Sequence, residues 1–132
     1  MMVGLDTNVL VRYIMQDDPA QSAKATALIE SLDADNPGYV TVVSVVELYW
    51  VLTSCYERSN ADFQQVMQVL LQTRQMVVET ADQVQRALRV FGQGKADFAD
   101  CLIERAAAAA GCERTMTFDV RASKHAAMTL IG

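Results

Sequence analysis

Several features that mark common classes of enzyme are missing from this sequence. It has a single histidine, His125, which we place at the surface, and no Cys or His at metal-ligand spacing. This argues against a zinc site and against a Ser-His-Asp triad. A glycine-rich phosphate loop is also absent, so nucleotide triphosphate binding of the P-loop type is not expected. No apolar run approaches the ~18 residues of a membrane span, and the first one stops at Asp6, so neither a membrane helix nor a signal peptide is expected.

Basic residues and cysteines are also scarce. The chain has 11 Lys and Arg against 16 Asp and Glu, a net charge of -5. That sign disfavours a broad basic surface for nucleic acid, but it is compatible with a nucleic-acid enzyme whose carboxylates hold a metal. The cysteines, Cys55, Cys101 and Cys112, are odd in number, and the first two lie in apolar helical patterns. We therefore expect buried, reduced thiols in a cytoplasmic protein.

What the chain does have is enough apolar sequence for one core. Its length, 132 residues, fits a single domain over 1–132, and 52% of the residues are hydrophobic. Strand-like and helix-like patterns alternate along it. Strands are predicted near 1–5, 39–43, 76–79, 114–118 and 127–130, and helices near 9–14, 19–32, 44–52, 61–72, 80–91, 97–110 and 121–125. This alternation predicts an α/β fold, a three-layer α/β/α sandwich with a central, mostly parallel sheet.

Two helix starts carry specific signals. Asp18 followed by Pro19 predicts an N-cap with proline in the first helical position. Ser44 with Glu47 three residues later matches a capping box. The helix after Ser44 is apolar nearly all round, from Val45 to Leu52, which predicts that it is buried.

Acidic residues recur where strands give way to helices. In a parallel sheet such boundaries lie on one edge, so these carboxylates are expected to converge there. Taken singly, each has a structural explanation as a turn residue, a cap or a charge at a helix N-terminus. The residues concerned are Asp6, Glu47, Asp97, Asp100 and Asp119.

Glu47 favours a site over a set of caps. It stands among apolar residues with almost no cation nearby in sequence, and a carboxylate buried there needs a partner. Oxygen ligands without Cys or His indicate Mg²⁺ or Mn²⁺. Thr7 and Asn8 can then cap the first helix, which leaves Asp6 free as a ligand. Such a site suits hydrolysis of a phosphodiester by an activated water.

The segments that carry these acids resemble a known family. The segments at 3–10 (VGLDTNVL), 44–48 (SVVEL), 96–103 (ADFADCLI) and 117–119 (TFD) look like those of the PIN domain, and most closely of VapC-type toxins of toxin–antitoxin pairs. The resemblance covers essentially the whole chain. It implies a PIN-like fold, a Mg²⁺- or Mn²⁺-dependent endoribonuclease, a homodimer and a cognate antitoxin protein as partner.

The resemblance also implies roles for particular residues. Asp6, Glu47, Asp100 and Asp119 would be the catalytic, metal-binding quartet, and Asp97, one turn before Asp100, could substitute or assist. Thr7, Asn8, Ser44 and Thr117 would be polar groups that orient the carboxylates.

The surface that would bind RNA is poorly defined. The main candidates for substrate contacts are Arg12 and Lys95, because positioning contacts come from scattered basic residues. The further candidates are Lys24, Arg58, Arg121 and Lys124. Two other functions stay open: a catalytically silent PIN-fold module that binds RNA or protein, and a nuclease directed at DNA.

Overall fold

The chain folds into two compact units, Met1–Glu79 and Thr80–Gly132, in a computed structural model that describes residues 1–132. The first unit contains β1 (Val3–Gly4), α1 (Thr7–Met15), α2 (Pro19–Glu30), β2 (Gly38–Val40), α3 (Val42–Trp50) with a π-helical extension (Val51–Cys55), α4 (Asn60–Gln72) and β3 (Met76–Val78). The second contains α5 (Ala81–Phe91), α6 (Phe98–Ala109), β4 (Met116–Thr117), α7 (Val120–His125) and β5 (Thr129–Leu130). The expectation of one domain over 1–132 stays a prediction.

All strand pairs are parallel. In the first unit the order is β1-β2-β3, with Val3 opposite Gly38 and Gly38 opposite Met76. In the second unit β4 pairs with β5. A side chain on Gly38 would place its Cβ 2.7 Å from Leu5 Cδ1 and 2.9 Å from Leu32 Cδ1, so a larger residue here would force these leucine side chains to shift. Parallel strands separated along the chain by helices confirm the predicted α/β class.

The helix starts confirm one sequence signal and correct another. Asp18 is the N-cap of α2, with Pro19 in its first position, as predicted. The capping box at Ser44 is wrong. α3 begins at Val42, and its N-cap is Thr41, whose side chain accepts from the Ser44 backbone N–H. Ser44 therefore lies inside the first turn, where its hydroxyl is free to face another element.

The cores follow the periodicity of the helices. In α5 the buried residues Val84, Ala87, Leu88 and Phe91 recur at the spacing of one helix face, and α5 packs against α6. The expectation of buried cysteines holds for Cys101 but is wrong for Cys55, which is exposed in the π-helical turn, and for Cys112, which is also exposed. All three cysteines are free thiols. No helix has the length and apolar character needed to cross a membrane.

The aromatic contact in the second unit yields a stability prediction. The Phe98 ring is fully buried and meets Phe91 edge-to-face, with ring centroids 5.6 Å apart. Replacing Phe98 by alanine removes this packing and leaves a cavity, so the free energy of unfolding should fall by about 3–5 kcal/mol. Urea denaturation measures the change. The matched control is Phe118→Ala: its ring is 81% exposed, and its loss should cost less than about 0.5 kcal/mol. Equal effects of both substitutions would contradict this account of the core.

Candidate functional site

The first unit carries an acid at the end of its first strand. Asp6 follows β1 and is the N-cap of α1, where its Oδ1 accepts a 2.7 Å hydrogen bond from the Thr7 backbone N–H. The sequence-based expectation that Thr7 and Asn8 would cap this helix is therefore wrong. Asp6 is exposed, and its second carboxylate oxygen accepts no hydrogen bond within the protein. One oxygen holds the helix start and the other is left for an outside ligand.

A buried hydroxyl connects α1 with α3. The side chain of Thr7 donates a 2.7 Å hydrogen bond to Glu47 Oε1, and its oxygen lies 3.1 Å from the hydroxyl oxygen of Ser44. Thr7 and Ser44 are both buried. Because Thr7 has a single proton and gives it to the carboxylate, Ser44 can donate to Thr7 in turn. This chain of hydroxyls fixes the orientation of Glu47.

Glu47 is not buried, contrary to the sequence-based expectation. α3 buries only Ser44, Val45 and Leu48, which share one face, while Glu47 is exposed and Trp50 on another face is 52% exposed. An apolar composition all round the helix did not lead to burial all round. The argument that Glu47 needs a metal because it is buried therefore fails. What remains is an oriented carboxylate whose Oε2 accepts no hydrogen bond.

Asn8 has a different environment from the other polar residues of this segment. Its side chain is exposed in the first turn of α1 and makes no hydrogen bond to a carboxylate. It lines a groove between α1 and α2 instead. Arg12, the predicted substrate contact, lines the same groove.

The second unit holds three aspartates at the starts of two helices. Asp97 is the N-cap of α6 and accepts from the Asp100 backbone N–H at 3.2 Å. Asp119 is the N-cap of α7, where its Oδ1 accepts from the backbone N–H groups of Arg121 and Ala122 at 2.8 and 3.3 Å. The Thr117 hydroxyl accepts from the Asp119 backbone N–H at 3.0 Å, which ties β4 to this cap.

Asp100 differs from its two neighbours. It is half-buried in the first turn of α6, and its carboxylate accepts no hydrogen bond in the protein. Burial, followed by the negative charges of Asp97 and Asp119, raises the pKa of Asp100, and the guanidinium of Arg121 only partly opposes this. The ionised carboxylate is therefore poorly compensated and would gain from a cation.

Two basic residues stand beside this acidic group. Lys95 and Arg121 are both exposed, and Arg121 Nε donates a 2.8 Å hydrogen bond to the Lys95 backbone oxygen. The contact fixes the start of the loop that leads into Asp97. Both residues were candidates for RNA contact from the sequence, and this hydrogen bond brings Arg121 next to Lys95.

Cys101 supplies no nucleophile to this unit. Burial and the nearby charges of Asp97 and Asp100 raise the pKa of its thiol to about 11. A thiol with so high a pKa is protonated at neutral pH, and the thiolate is the reactive form. The chemistry available here is that of carboxylates.

The donor atoms fit a hard divalent cation. Asp6, Glu47 and Asp119 each use one carboxylate oxygen for a protein hydrogen bond and leave the other open, and Asp100 leaves both open. Such oxygens are the ligands that Mg²⁺ and Mn²⁺ prefer. In neither unit do three or more His, Cys, Asp or Glu side chains lie close enough together to form a complete metal site.

Comparison with known proteins identifies the family. The sequence model of the PIN domain matches residues 3–128, and no curated protein matches the chain. PIN domains are generally nucleases, which act on nucleic acid and use divalent metals. The match, together with the parallel strands, confirms the predicted three-layer α/β/α fold of PIN type. Because the match covers nearly the whole chain, the protein belongs to the PIN domain family.

Proposed function

We propose that this PIN-domain protein is a Mg²⁺- or Mn²⁺-dependent endoribonuclease. The observation that carries the proposal is the set of four acids with open carboxylate oxygens, Asp6 and Glu47 in one unit and Asp100 and Asp119 in the other. Because the nucleases of this family generally use divalent metals, metal binding is the function that we assign to these open oxygens. We assign all four to metal binding and catalysis, with Asp97 as an auxiliary acid.

In this proposal the protein supplies orientation and negative charge. A bound divalent cation would stabilise charge on the phosphodiester and lower the pKa of a water molecule. Thr7 and Ser44 hold Glu47 in place, and Thr117 holds the backbone of Asp119. Asp100 has both carboxylate oxygens open and poorly compensated, so it is well suited to bind the cation. Asn8 does not orient a carboxylate in this structure, and we assign it to substrate contact instead.

Substrate contacts are proposed for Arg12 and Lys95. Arg12 lines the groove between α1 and α2 in the first unit. Lys95 has an exposed side chain and precedes Asp97 in the second unit, where its backbone is held by Arg121. The exposed cation Lys95 reduces the repulsion between an acidic protein and the phosphates of RNA, whereas Arg12 is paired with Asp17 and contributes guanidinium hydrogen-bond donors.

Cleavage assays test the proposal. The full chain is incubated with single-stranded RNA or with DNA of the same sequence, with Mg²⁺ or Mn²⁺ and with or without chelator. Cleavage of RNA that the chelator abolishes is the expected result. Metal-dependent cleavage of DNA alone would instead identify a DNA nuclease. Binding without cleavage of either would identify a silent module.

A cellular role as the toxin of a type II toxin–antitoxin system extends the proposal. The family resemblance of the 3–10, 44–48 and 96–103 segments supports it. In this role the protein acts in the cytoplasm as a homodimer and is blocked by an antitoxin protein. Induced expression should arrest growth, and co-expression of a small DNA-binding protein from the neighbouring reading frame should relieve the arrest. Normal growth during expression of an active nuclease would contradict the toxin role.

The raised pKa of Asp100 predicts a pH dependence of metal binding. Carboxylates must be ionised to bind the cation, so proton and metal compete. Because the pKa of Asp100 lies above that of an ordinary aspartate, affinity for Mn²⁺ should begin to fall at a higher pH than ordinary carboxylates would give. Calorimetric titration at pH ~7 and pH ~5 should show weaker binding at the lower pH. An Asp100→Asn variant that binds Mn²⁺ as tightly as the wild type at pH ~7 would rule out a binding role for this residue.

A further inference from the structure

The groove between α1 and α2 brings together positively charged and hydrogen-bond-donating side chains in a unit that is acidic as a whole. Only four of the 11 basic residues lie in residues 1–79, namely Arg12, Lys24, Arg58 and Arg74. Two of them, Arg12 and Lys24, line this one groove, whose volume is about 260 Å³. No carboxylate lines it. A polyanion approaching this unit would meet its favourable charge here.

The helices bring their polar side chains together by regular spacing. Asn8 and Arg12 are four residues apart in α1, and Gln21 and Lys24 are three apart in α2, so each pair shares a helix face. Between them Val9, Ala25 and Leu28 complete the lining with apolar surface. A groove lined by donors and by apolar side chains suits a nucleotide, with its phosphate on the donors and its sugar or base against the apolar side chains.

Hydrogen bonds fix which atoms these side chains present. Arg12 Nε donates to Gln21 Oε1 at 2.8 Å, so the Gln21 amide nitrogen remains available as a donor. Arg12 Nη1 is held by Asp17 at 3.0 Å and lies 3.2 Å from the Tyr56 hydroxyl, which itself donates to Asp17. Arg12 is thereby preorganised, and its Nη2 stays open.

Lys24 supplies the uncompensated charge of the groove. The ion pair with Asp17 offsets the charge of Arg12, whereas Lys24 is exposed and has no ion-pair partner. The groove also adjoins the proposed site along the chain. Asn8, one of its lining residues, follows Thr7, which donates to Glu47, and lies two residues after Asp6.

We propose that this groove binds one nucleotide of single-stranded RNA next to the position of cleavage, with Lys24 and Arg12 on its phosphate and the Asn8 and Gln21 amides as further donors. The inference rests on the proposed ribonuclease function, since it names a subsite for the same substrate. The charge of Lys24, the fixed donors of Arg12 and Gln21 and the apolar part of the lining all favour a nucleotide over a protein side chain.

Binding of an uncleavable RNA tests the subsite separately from catalysis. The probe is a fluorescent, single-stranded 2′-O-methyl RNA, titrated with the full chain in chelator and followed by anisotropy at several salt concentrations. The Lys24→Ala variant should raise Kd about three- to tenfold and reduce the slope of log Kd against log salt by about 0.7, the value for one phosphate contact on a single strand. The matched control is Arg74→Ala, an exposed basic residue of the same unit outside the groove, which should change Kd less than about twofold.

The outcomes separate this inference from the proposed function. If Lys24→Ala binds as the wild type does while the wild type still cleaves RNA, the subsite is wrong and the ribonuclease stands. A wild type that binds RNA through Lys24 but cleaves none retains the subsite and overturns the enzyme. Failure of the wild type to bind RNA overturns the subsite. Amide chemical shifts of residues 8, 12, 21 and 24 during the titration should move, and the spectrum of Lys24→Ala reports that the variant is folded.

Discussion

Replacing Asp6 by asparagine should abolish RNA cleavage without unfolding the protein. Asparagine is as good an N-cap as aspartate, so its side-chain oxygen can still accept from the Thr7 backbone N–H and hold the start of α1. What the substitution removes is the charge and the open carboxylate oxygen. Loss of an outer-shell partner costs about 10–100-fold, so loss of a direct ligand should lower the cleavage rate at least ~100-fold. Single-turnover cleavage of RNA with Mg²⁺ measures it.

Asp18→Asn is the matched control for this variant. Asp18 is also an N-cap of the first unit, and its Oδ1 accepts from the Gln21 backbone N–H at 3.0 Å. The change is chemically identical and occurs at an equivalent backbone position, but no role in the reaction is assigned to this residue. Its cleavage rate should stay within about twofold of wild type. Full activity of Asp6→Asn in a preparation free of contaminating ribonuclease would overturn the proposed mechanism.

Local sequence signals predicted the elements well because their physics is local. The Asp18–Pro19 start of α2 needs only two adjacent residues, and it is present. The start of α3 shows the limit. Ser44 and Glu47 have the spacing of a capping box, but Thr41 at the end of β2 is also a good cap, and it sets the helix start instead. Ser44 then contacts Thr7, which is 37 residues away and which no local pattern can identify.

The candidate site could be predicted only in part, because some of its features are local in the sequence and others depend on tertiary packing. Acids at strand ends are visible in the sequence, and the structure places Asp6, Asp97 and Asp119 at helix N-caps, where each is also structurally useful. The exposure of Glu47 depends on which face of α3 meets the rest of its unit, and a helix that is apolar nearly all round gives little sign of that face. Similarly, the contact of Arg12 with Gln21 and Tyr56 depends on tertiary packing. These side chains determine which polar atoms remain open.

Asp100→Asn should remove activity and, without metal, make the protein more stable. The raised pKa of Asp100 means that the folded state holds its proton more tightly than the unfolded state does. Ionisation above that pKa therefore costs folding free energy, and stability contributed by the protonated form is lost as pH rises through it. Asparagine is neutral at every pH, so the melting temperature in chelator at pH ~7 should rise. Cleavage should fall at least ~100-fold, as for loss of any direct ligand.

Adding metal and replacing a second acid show whether the change in melting temperature is specific to Asp100. A cation that binds the folded state raises its melting temperature, so Mn²⁺ should stabilise the wild type and have much less effect on Asp100→Asn. The control is Asp82→Asn, because Asp82 is an exposed acid in the first turn of α5 in the same unit. The negative charge of Asp82 interacts favourably with the dipole of α5, so its removal should lower the free energy of unfolding by about 0.3–1 kcal/mol. If Asp100→Asn also melts lower than wild type in chelator, the half-buried carboxylate is compensated by the protein itself, and the need for a cation at this position disappears.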